Sequence, residues 1–224
     1  MTKVSFPPIF IISLKDSKRR EFITERLTNM GLPFQFVDAV YGKDLSEEEL
    51  SKIDFDFFIQ KFKSKKKMMP GEIGCAISHV KVYEKILADN LPNAIIFEDD
   101  AIVSPDFVEI VKVALKKLPN KADLLLFDHG KAKVSPFYRS LPEHYRLARY
   151  LVPSKNSQRG IFKATAYFIT KRGCEKLLSH AYPIRMPADY LTGYPQLWNT
   201  CIYGVEPPCV FGGGVSEIDA QGKR

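Results

Sequence analysis

The chain has 224 residues, 45% of them hydrophobic and 26% charged, with a formal net charge of +7. That length suffices for one sizeable α/β domain with a real core, and the composition excludes a disordered, collagenous or membrane-spanning chain. The positive balance points to an anionic partner: a nucleotide, a nucleic acid or an anionic membrane surface.

In chain order, Ile9-Phe10-Ile11-Ile12-Ser13-Leu14 predicts a buried first strand. No secretory signal is expected, because the apolar run Pro8 to Leu14 lacks a basic flank before it and a small-residue cleavage site after it. Asp16 or Ser17 is placed to cap a helix bearing Phe22, Ile23, Leu27 and Met30 and ending at Gly31. Phe34 to Val37 then predicts a second strand, and this β-α-β opening argues for a parallel sheet. The loop between strand and helix carries Lys15 to Arg20, where α/β folds bind ligands and helix starts favour phosphate. Arg19 or Arg20 there is suited to a base, ribose or pyrophosphate; the competing interpretation is a solvated basic helix start.

Ser46 followed by Glu47, Glu48 and Glu49 predicts a capped helix with an acidic first turn. Residues 54–70 mix Phe55, Phe57, Phe58 and Phe62 with five lysines and show no clean period. They are expected to form a mobile loop over a site; basic residues between aromatics also suit nucleic acid or a membrane surface, but no nucleic-acid reading motif accompanies them. Glu72 to Asn90 predicts the clearest helix, started by Pro70-Gly71, with Ile73, Ala76, Ile77, Val80, Tyr83 and Leu87 on one face. Glu72 in its first turn has either a dipole role or a ligand role. Ser78 and His79 lie beside the apolar stripe, His79 expected as a structural residue.

Ala94-Ile95-Ile96-Phe97 runs abruptly into Glu98-Asp99-Asp100. Strand alternation turns Glu98 and Asp100 to one side and Asp99 to the other. Two converging carboxylates repel unless a cation or proton sits between them, and a hard divalent cation, Mn²⁺ or Mg²⁺, is the natural guest. The bland alternative is a solvated acidic turn. Ser104-Pro105-Asp106 predicts a helix start with proline at the first position, running to about Leu118. Asp123 to Asp128 is a further core strand whose tip, with His129, reaches toward the same edge. Residues 135–160 are expected to form a variable insertion holding a strand at Arg146 to Leu151. A strand from Phe162 to Ile169, a helix from Lys171 to His180, Pro187-Ala188-Asp189 and a flexible Gly212-Gly213-Gly214 complete the chain. With no repeats and no linker, residues 1–224 are expected to form a single domain. Cys75, Cys174, Cys201 and Cys209 lie far apart without a C-x-x-C pair, so they are expected to be buried thiols, with no zinc site.

No P-loop, dinucleotide loop or nucleophile elbow is present. A hard-cation site, a basic first loop and further acids suit transfer from a nucleotide-linked substrate. The rivals are a metal-dependent phosphodiesterase or nuclease, which would cleave without an acceptor, and a non-enzymatic basic nucleic-acid or membrane-binding module. Ser13-Leu14 with Arg19-Arg20, the block Pro70-Gly71-Glu72-Ile73-Gly74-Cys75-Ala76-Ile77-Ser78-His79, then Phe97-Glu98-Asp99-Asp100, resemble the bacterial lipooligosaccharide glycosyltransferases of family 25. Ala166 to Ile169, Leu177-Leu178 and Pro187-Ala188-Asp189 continue the resemblance over nearly the whole chain; the family often has Asn where Ser13 stands here.

The resemblance implies a GT-A-like nucleotide-binding Rossmann-type α/β sandwich with a mostly parallel central sheet. It implies transfer of a hexose, galactose ahead of glucose, from UDP-galactose or UDP-glucose to a lipooligosaccharide core acceptor. It further implies cytoplasmic location, with peripheral contact at the inner membrane, no nucleic acid, and a basic tail missing beyond Ser216-Glu217-Ile218. By position, Glu98 and Asp100 resemble the family's metal acids and Asp99 a ribose contact. Ser13, Leu14, Arg19, Arg20 and Glu72 fall at the nucleotide, and Asp189 at the acceptor as general base, with a helix cap as its alternative role. Glu72 and Asp128 are reserve bases, and inverting single displacement is the mechanism implied.

Overall fold

The structure, a computed structural model, describes residues 6–130 and 132–213. The opening is β1 (Ile9–Ser13), α1 (Arg19–Asn29) and β2 (Gln35–Asp38). A short 3-10 turn at Gly42–Asp44 is followed by α2 (Glu47–Ser51), α3 (Phe55–Phe62) and the long α4 (Pro70–Ala88). Then come β3 (Asn93–Glu98), β4 (Ala101–Val103), α5 (Phe107–Lys117), β5 (Leu124–Leu126), β6 (Val134–Ser140) and β7 (Arg146–Tyr150). The described chain closes with β8 (Ala166–Thr170), α6 (Lys171–Ala181), α7 (Ala188–Gly193), α8 (Pro195–Trp198), β9 (Ile202–Glu206) and β10 (Val210–Gly212).

Eight strands form one sheet in the order β2-β1-β3-β8-β5-β9-β7-β6, and β10 pairs with β4 in a separate ribbon. β1 is parallel to β2 and β3, and β5 is parallel to β9. β8 runs antiparallel to both its neighbours, as does β7. The sheet is therefore mostly parallel: only β7 and β8 oppose the common direction, which is the α/β sandwich the sequence implies.

Alternation along buried strands builds two cores. Phe10, Ile12, Ile96, Leu126 and Tyr167 face α4 and α6, meeting Val80, Ile86 and Leu177. Ile11, Ile95, Phe97, Leu125 and Phe168 face α1 and α5, meeting Ile23, Leu27, Phe107 and Ile110. Strands covered on both faces must be apolar throughout, so β1 is buried at every position.

Local signals act mostly where the sequence placed them. Gly31 takes a left-handed φ of 66° just past α1, the position where glycine ends a helix without strain. Ser46 and Glu49 form a reciprocal capping box on α2. Other expectations are corrected. α1 has no side-chain cap; Ser17 Oγ instead accepts from the Arg19 N–H at 3.2 Å. α5 begins at Phe107, so Pro105 precedes the helix instead of opening it.

Residues 54–70 contain α3, capped by Asp54 Oδ1 accepting from the Phe57 N–H at 2.9 Å. Its ring contacts explain why no period was visible: Phe58 and Phe62 pack edge-on against Tyr190 at 5.1 and 4.7 Å between centroids, partners from far along the chain. Within 135–160, β6 and β7 make an antiparallel pair that extends the sheet beyond β9. Gly212 ends β10, and the Gly213 N–H donates to the Asp100 carbonyl at 2.9 Å; Gly214 and Ser216 to Ile218 lie outside the described residues.

Candidate active site

The carboxyl ends of β1 and β3 open onto a cavity of about 460 Å³. Because β8 runs the other way, its incoming residues Lys163, Ala164 and Thr165 arrive at this same edge and line the cavity too. α7 closes it with Asp189. Among the residues singled out in the sequence, Ser13, Leu14, Arg19, Glu72, Glu98, Asp99, Asp100, Asp128 and Asp189 all line this cavity. Arg20 does not. Its guanidinium stacks on Phe36 at 4.5 Å, donates to the Ser13 and Leu14 carbonyls at 3.0 Å each, and pairs with Asp38 at 2.5 Å. Arg20 therefore fixes the turn after β1 to β2, and Arg19 is the arginine brought to the cavity.

The acidic cluster is split as the alternation argument expected, by a different device. β3 ends at Glu98, and Asp99 and Asp100 form the turn into β4. Asp99 Oδ2 accepts from Ser13 Oγ at 2.6 Å, while its Oδ1 lies 3.6 Å from Arg19 Nη1. Glu98 turns to α4: its Oε1 is 3.2 Å from His79 Nε2 and 3.5 Å from Cys75 Sγ. Burial pushes the Glu98 carboxyl up, but the His79 bond and charge, the Cys75 bond and the Arg19 charge outweigh it and leave the group lowered. Asp100 has no such help. Its Oδ1 is buried with no hydrogen-bond partner, and burial together with the Glu98 charge pushes its pKa up to about 6, against the opposing Arg19 charge.

The block from Pro70 to His79 is explained residue by residue. Pro70 opens α4 at its first turn, and Glu72 Oε2 accepts from the Met69 N–H at 2.6 Å, so Glu72 caps its own helix while lining the cavity. Gly74 meets the backbone of residues 40–42: a Cβ there would lie 2.4 Å from the Val40 carbonyl oxygen. Ser78 Oγ accepts from the Val40 N–H at 2.8 Å, locking the same contact. Cys75 and His79, one turn apart, present their side chains to Glu98.

Asp189, also lining the cavity, stands in the first turn of α7, whose cap is Pro187 without a side-chain bond, so Asp189 is not a helix cap. Burial pushes its pKa up to about 6; the Lys163 N–H opposes this and the charges of Glu98 and Glu72 add to it. Lys163 was missed by the sequence reading. It holds a left-handed φ of 86°, unusual for a residue with a side chain, while its Nζ sits 3.0 Å from Asp128 Oδ1. Asp128 Oδ2 also accepts from the Gly212 N–H at 3.2 Å, so this acid is fully engaged and poorly placed to act as a base.

A hard divalent cation suits one part of this cavity. Asp100 offers a buried oxygen with no partner beside a second, ionised carboxylate, a donor set of oxygens that a cation completes. Glu98 and Asp100 would hold it.

The model of glycosyltransferase family 25 (LPS biosynthesis protein) matches residues 6–192. The chain is 29% identical over 195 residues to procollagen galactosyltransferase 1-A of Xenopus laevis, covering 84% of this chain and 30% of that one. It is 30% identical over 171 residues to a Haemophilus influenzae protein named as a glycosyltransferase, covering 75% of this chain and 56% of that one. It is also 32% identical over 110 residues to the mouse inactive glycosyltransferase 25 family member 3, covering 48% of this chain and 19% of that one. The chain thus spans only part of the length of these relatives. With the matched region running from before β1 to the end of α7, this chain belongs to glycosyltransferase family 25.

Proposed function

We propose that the chain is a metal-dependent hexosyltransferase that moves galactose, ahead of glucose, from a UDP-sugar to a saccharide acceptor of the lipooligosaccharide type with inversion. One observation carries this reading: a single cavity is lined by Glu98, by Asp100 with a buried oxygen that lacks a partner, and by a third acid, Asp189, whose pKa is raised. The galactosyl preference draws support from the frog relative's name and the acceptor class from the family description.

Glu98 and Asp100 would hold a Mn²⁺ or Mg²⁺ ion, which would supply charge neutralisation for the departing diphosphate. Arg19 adds positive charge at that edge, and Asp99, held by Ser13 and Arg19, presents its carboxylate edge to the ribose. Asp189 accepts the proton of the attacking acceptor hydroxyl, and the hydroxyl oxygen bonds to the anomeric carbon as the bond from that carbon to the diphosphate oxygen breaks. A carboxyl with a pKa near 6 is ionised at neutral pH and is a stronger base than an ordinary aspartate. No helix among the described residues is long and apolar enough to cross a membrane. Independently of that, the family resemblance leads us to propose a cytoplasmic protein that touches the inner membrane face peripherally.

Thermal shift with UDP, UDP-galactose and UDP-glucose, with and without Mn²⁺, tests the donor and metal together. Metal-dependent stabilisation by one UDP-sugar is expected, and none by any of them would sink the reading. Asp189→Asn is expected to keep that stabilisation while lowering transfer by about 10²- to 10⁴-fold. Near-normal transfer by this variant would remove Asp189 as the base. Hydrolysis of a phosphodiester without an acceptor would favour the nuclease or phosphodiesterase reading instead.

A further inference from the structure

Cys75 and His79, which the transfer reaction leaves unused, make a cluster with Glu98. Their ligand atoms, Sγ, Nε2 and a carboxylate oxygen, all lie within 4.8 Å of one another. A four-coordinate cation of the zinc class takes nitrogen and oxygen at about 2.0 Å and thiolate sulfur at about 2.3 Å; tetrahedral angles then require N–O and S–O separations of about 3.3 and 3.5 Å. The separations here are 3.2 Å for His79 Nε2 to Glu98 Oε1 and 3.5 Å for Cys75 Sγ to the same oxygen. Both separations to the Glu98 oxygen thus match those of such an ion, and the third pair, sulfur and nitrogen, lies within 4.8 Å.

The surroundings of His79 fit as well. Its Nδ1 lies 2.7 Å from the Tyr167 hydroxyl, which lies 2.6 Å from the Tyr83 hydroxyl, and all three residues are fully buried. A metal-bound imidazole needs its other nitrogen held by an outer partner. With Nε2 facing the ion, Nδ1–H donates to the Tyr167 oxygen and the Tyr167 hydroxyl donates to Tyr83. With Nε2–H facing Glu98, both hydroxyls reverse. The tyrosine pair therefore serves either tautomer. Cys75 and Glu98 line the cavity, so the cluster is open to it.

We propose that Cys75, His79 and Glu98 form a second cation site, overlapping the first through Glu98, that takes borderline divalent cations of the zinc class in preference to Mg²⁺ or Mn²⁺. Thiolate and imidazole ligands select for that class, whereas the oxygen-only pair Glu98 and Asp100 selects for hard cations. Binding forms one bond each from sulfur, nitrogen and oxygen to the ion, and the thiol proton leaves to solvent. Because one carboxylate serves both sites, zinc-class occupancy withdraws Glu98 from the hard cation and inhibits transfer; this consequence, unlike the site itself, rests on the transferase reading.

Titrating the purified chain with Co²⁺, with no nucleotide sugar present, tests the site directly. The native chain is expected to develop a thiolate-to-cobalt charge-transfer band and intense four-coordinate visible bands, saturating at one equivalent and bleached by Zn²⁺. Cys75→Ser should abolish the charge-transfer band, Cys201→Ser should keep it, and Tyr167→Phe should weaken cobalt binding by about 10- to 100-fold. A native chain without the band, which needs no variant to read, overturns the proposal, as does a band that survives Cys75→Ser. In the transfer assay, Zn²⁺ should inhibit against excess Mn²⁺ and the inhibition should vanish in Cys75→Ser. A cobalt spectrum without zinc inhibition overturns only the shared-carboxylate consequence, and a failed UDP-sugar reading leaves the spectroscopic result standing.

Discussion

Asp123 and Asp100 sit at opposite edges of the same sheet and are treated in opposite ways. Asp123, just before β5, has a fully covered side chain with partners for both oxygens. Arg172 Nε donates to Oδ1 at 2.7 Å, and Lys176 Nζ and the Cys201 N–H donate to Oδ2 at 2.7 and 2.8 Å. Burial pushes its carboxyl up, yet these donors win and hold it below the ordinary range. Asp100, just after β3, is pushed up to about 6 and keeps one buried oxygen without a partner. An unsatisfied buried acceptor destabilises by about 1–3 kcal/mol. The fold supplies donors to the carboxylate that ties α6 to β5 and withholds them from the one at the cavity, where a ligand can complete it.

The largest expected effect of breaking this contrast is on activity. Asp100→Asn should lower transfer by on the order of 10²–10³-fold and remove the Mn²⁺ dependence of UDP-sugar stabilisation. The chelated variant should melt at or above the wild-type temperature, because a carboxylate whose ionised form burial disfavours, with one oxygen lacking a partner, has been removed. A lower melting temperature in the chelated variant would show that Asp100 has partners of its own. Asp123→Asn should do the reverse, losing about 1–3 kcal/mol in denaturant unfolding while the Michaelis constant for the donor stays put. Arg172 and Lys176 are partly exposed, which keeps this figure below that of a sealed ion pair.

Gly74→Ala comes next, at about 1–3 kcal/mol, because its Cβ would press on backbone atoms that Ser78 already pins. Chemical denaturation measures it; a neutral result would mean that α4 can retreat from the turn at Gly42–Asp44. This contact belongs to the cavity wall, since the same helix carries Glu72, Cys75 and His79.

How far the site was legible follows from the range of each signal. The β1-α1-β2 opening, α4 and the apolar run into Glu98 are written in local periodicity and end signals, and they appear in the structure within a few residues. Alternation separates Asp99 from Glu98, and in the structure these two acids do have different partners, although Asp99 and Asp100 lie in a turn beyond β3 and not in the strand. Groupings made by distant elements were not legible. Spacing among cysteines could not disclose Cys75 with His79 and Glu98, because the third ligand comes from β3; only the one-turn step from Cys75 to His79 hinted at a shared face. Lys163 carries no sequence signature at all; its left-handed φ and its place at the cavity appear only in the structure. The two arginines were indistinguishable as neighbours, and only the stacking of Arg20 on Phe36 separates their roles.

The dependence of stability on pH is the most direct readout of the contrast between the two acids. Asp100 has a folded pKa of about 6, above its ordinary value of 3.8. The native state therefore holds this proton more tightly than the unfolded chain does. Its contribution to stability rises as pH falls through the window from about 6 to about 4 and is constant on either side. Asp123, lowered in the native state, contributes stability that is present above its ordinary value and is lost as pH falls below it. Unfolding free energies measured with chelator across this range should show the wild type gaining stability relative to Asp100→Asn between pH 6 and 4. Relative to Asp123→Asn, the wild type should lose stability only below about pH 4. Asp189, also raised, is common to all three proteins, so its direct contribution largely cancels in the differences. Parallel curves for wild type and Asp100→Asn would mean that Asp100 finds a donor in solution, and the case for a cation at that oxygen would fall with it.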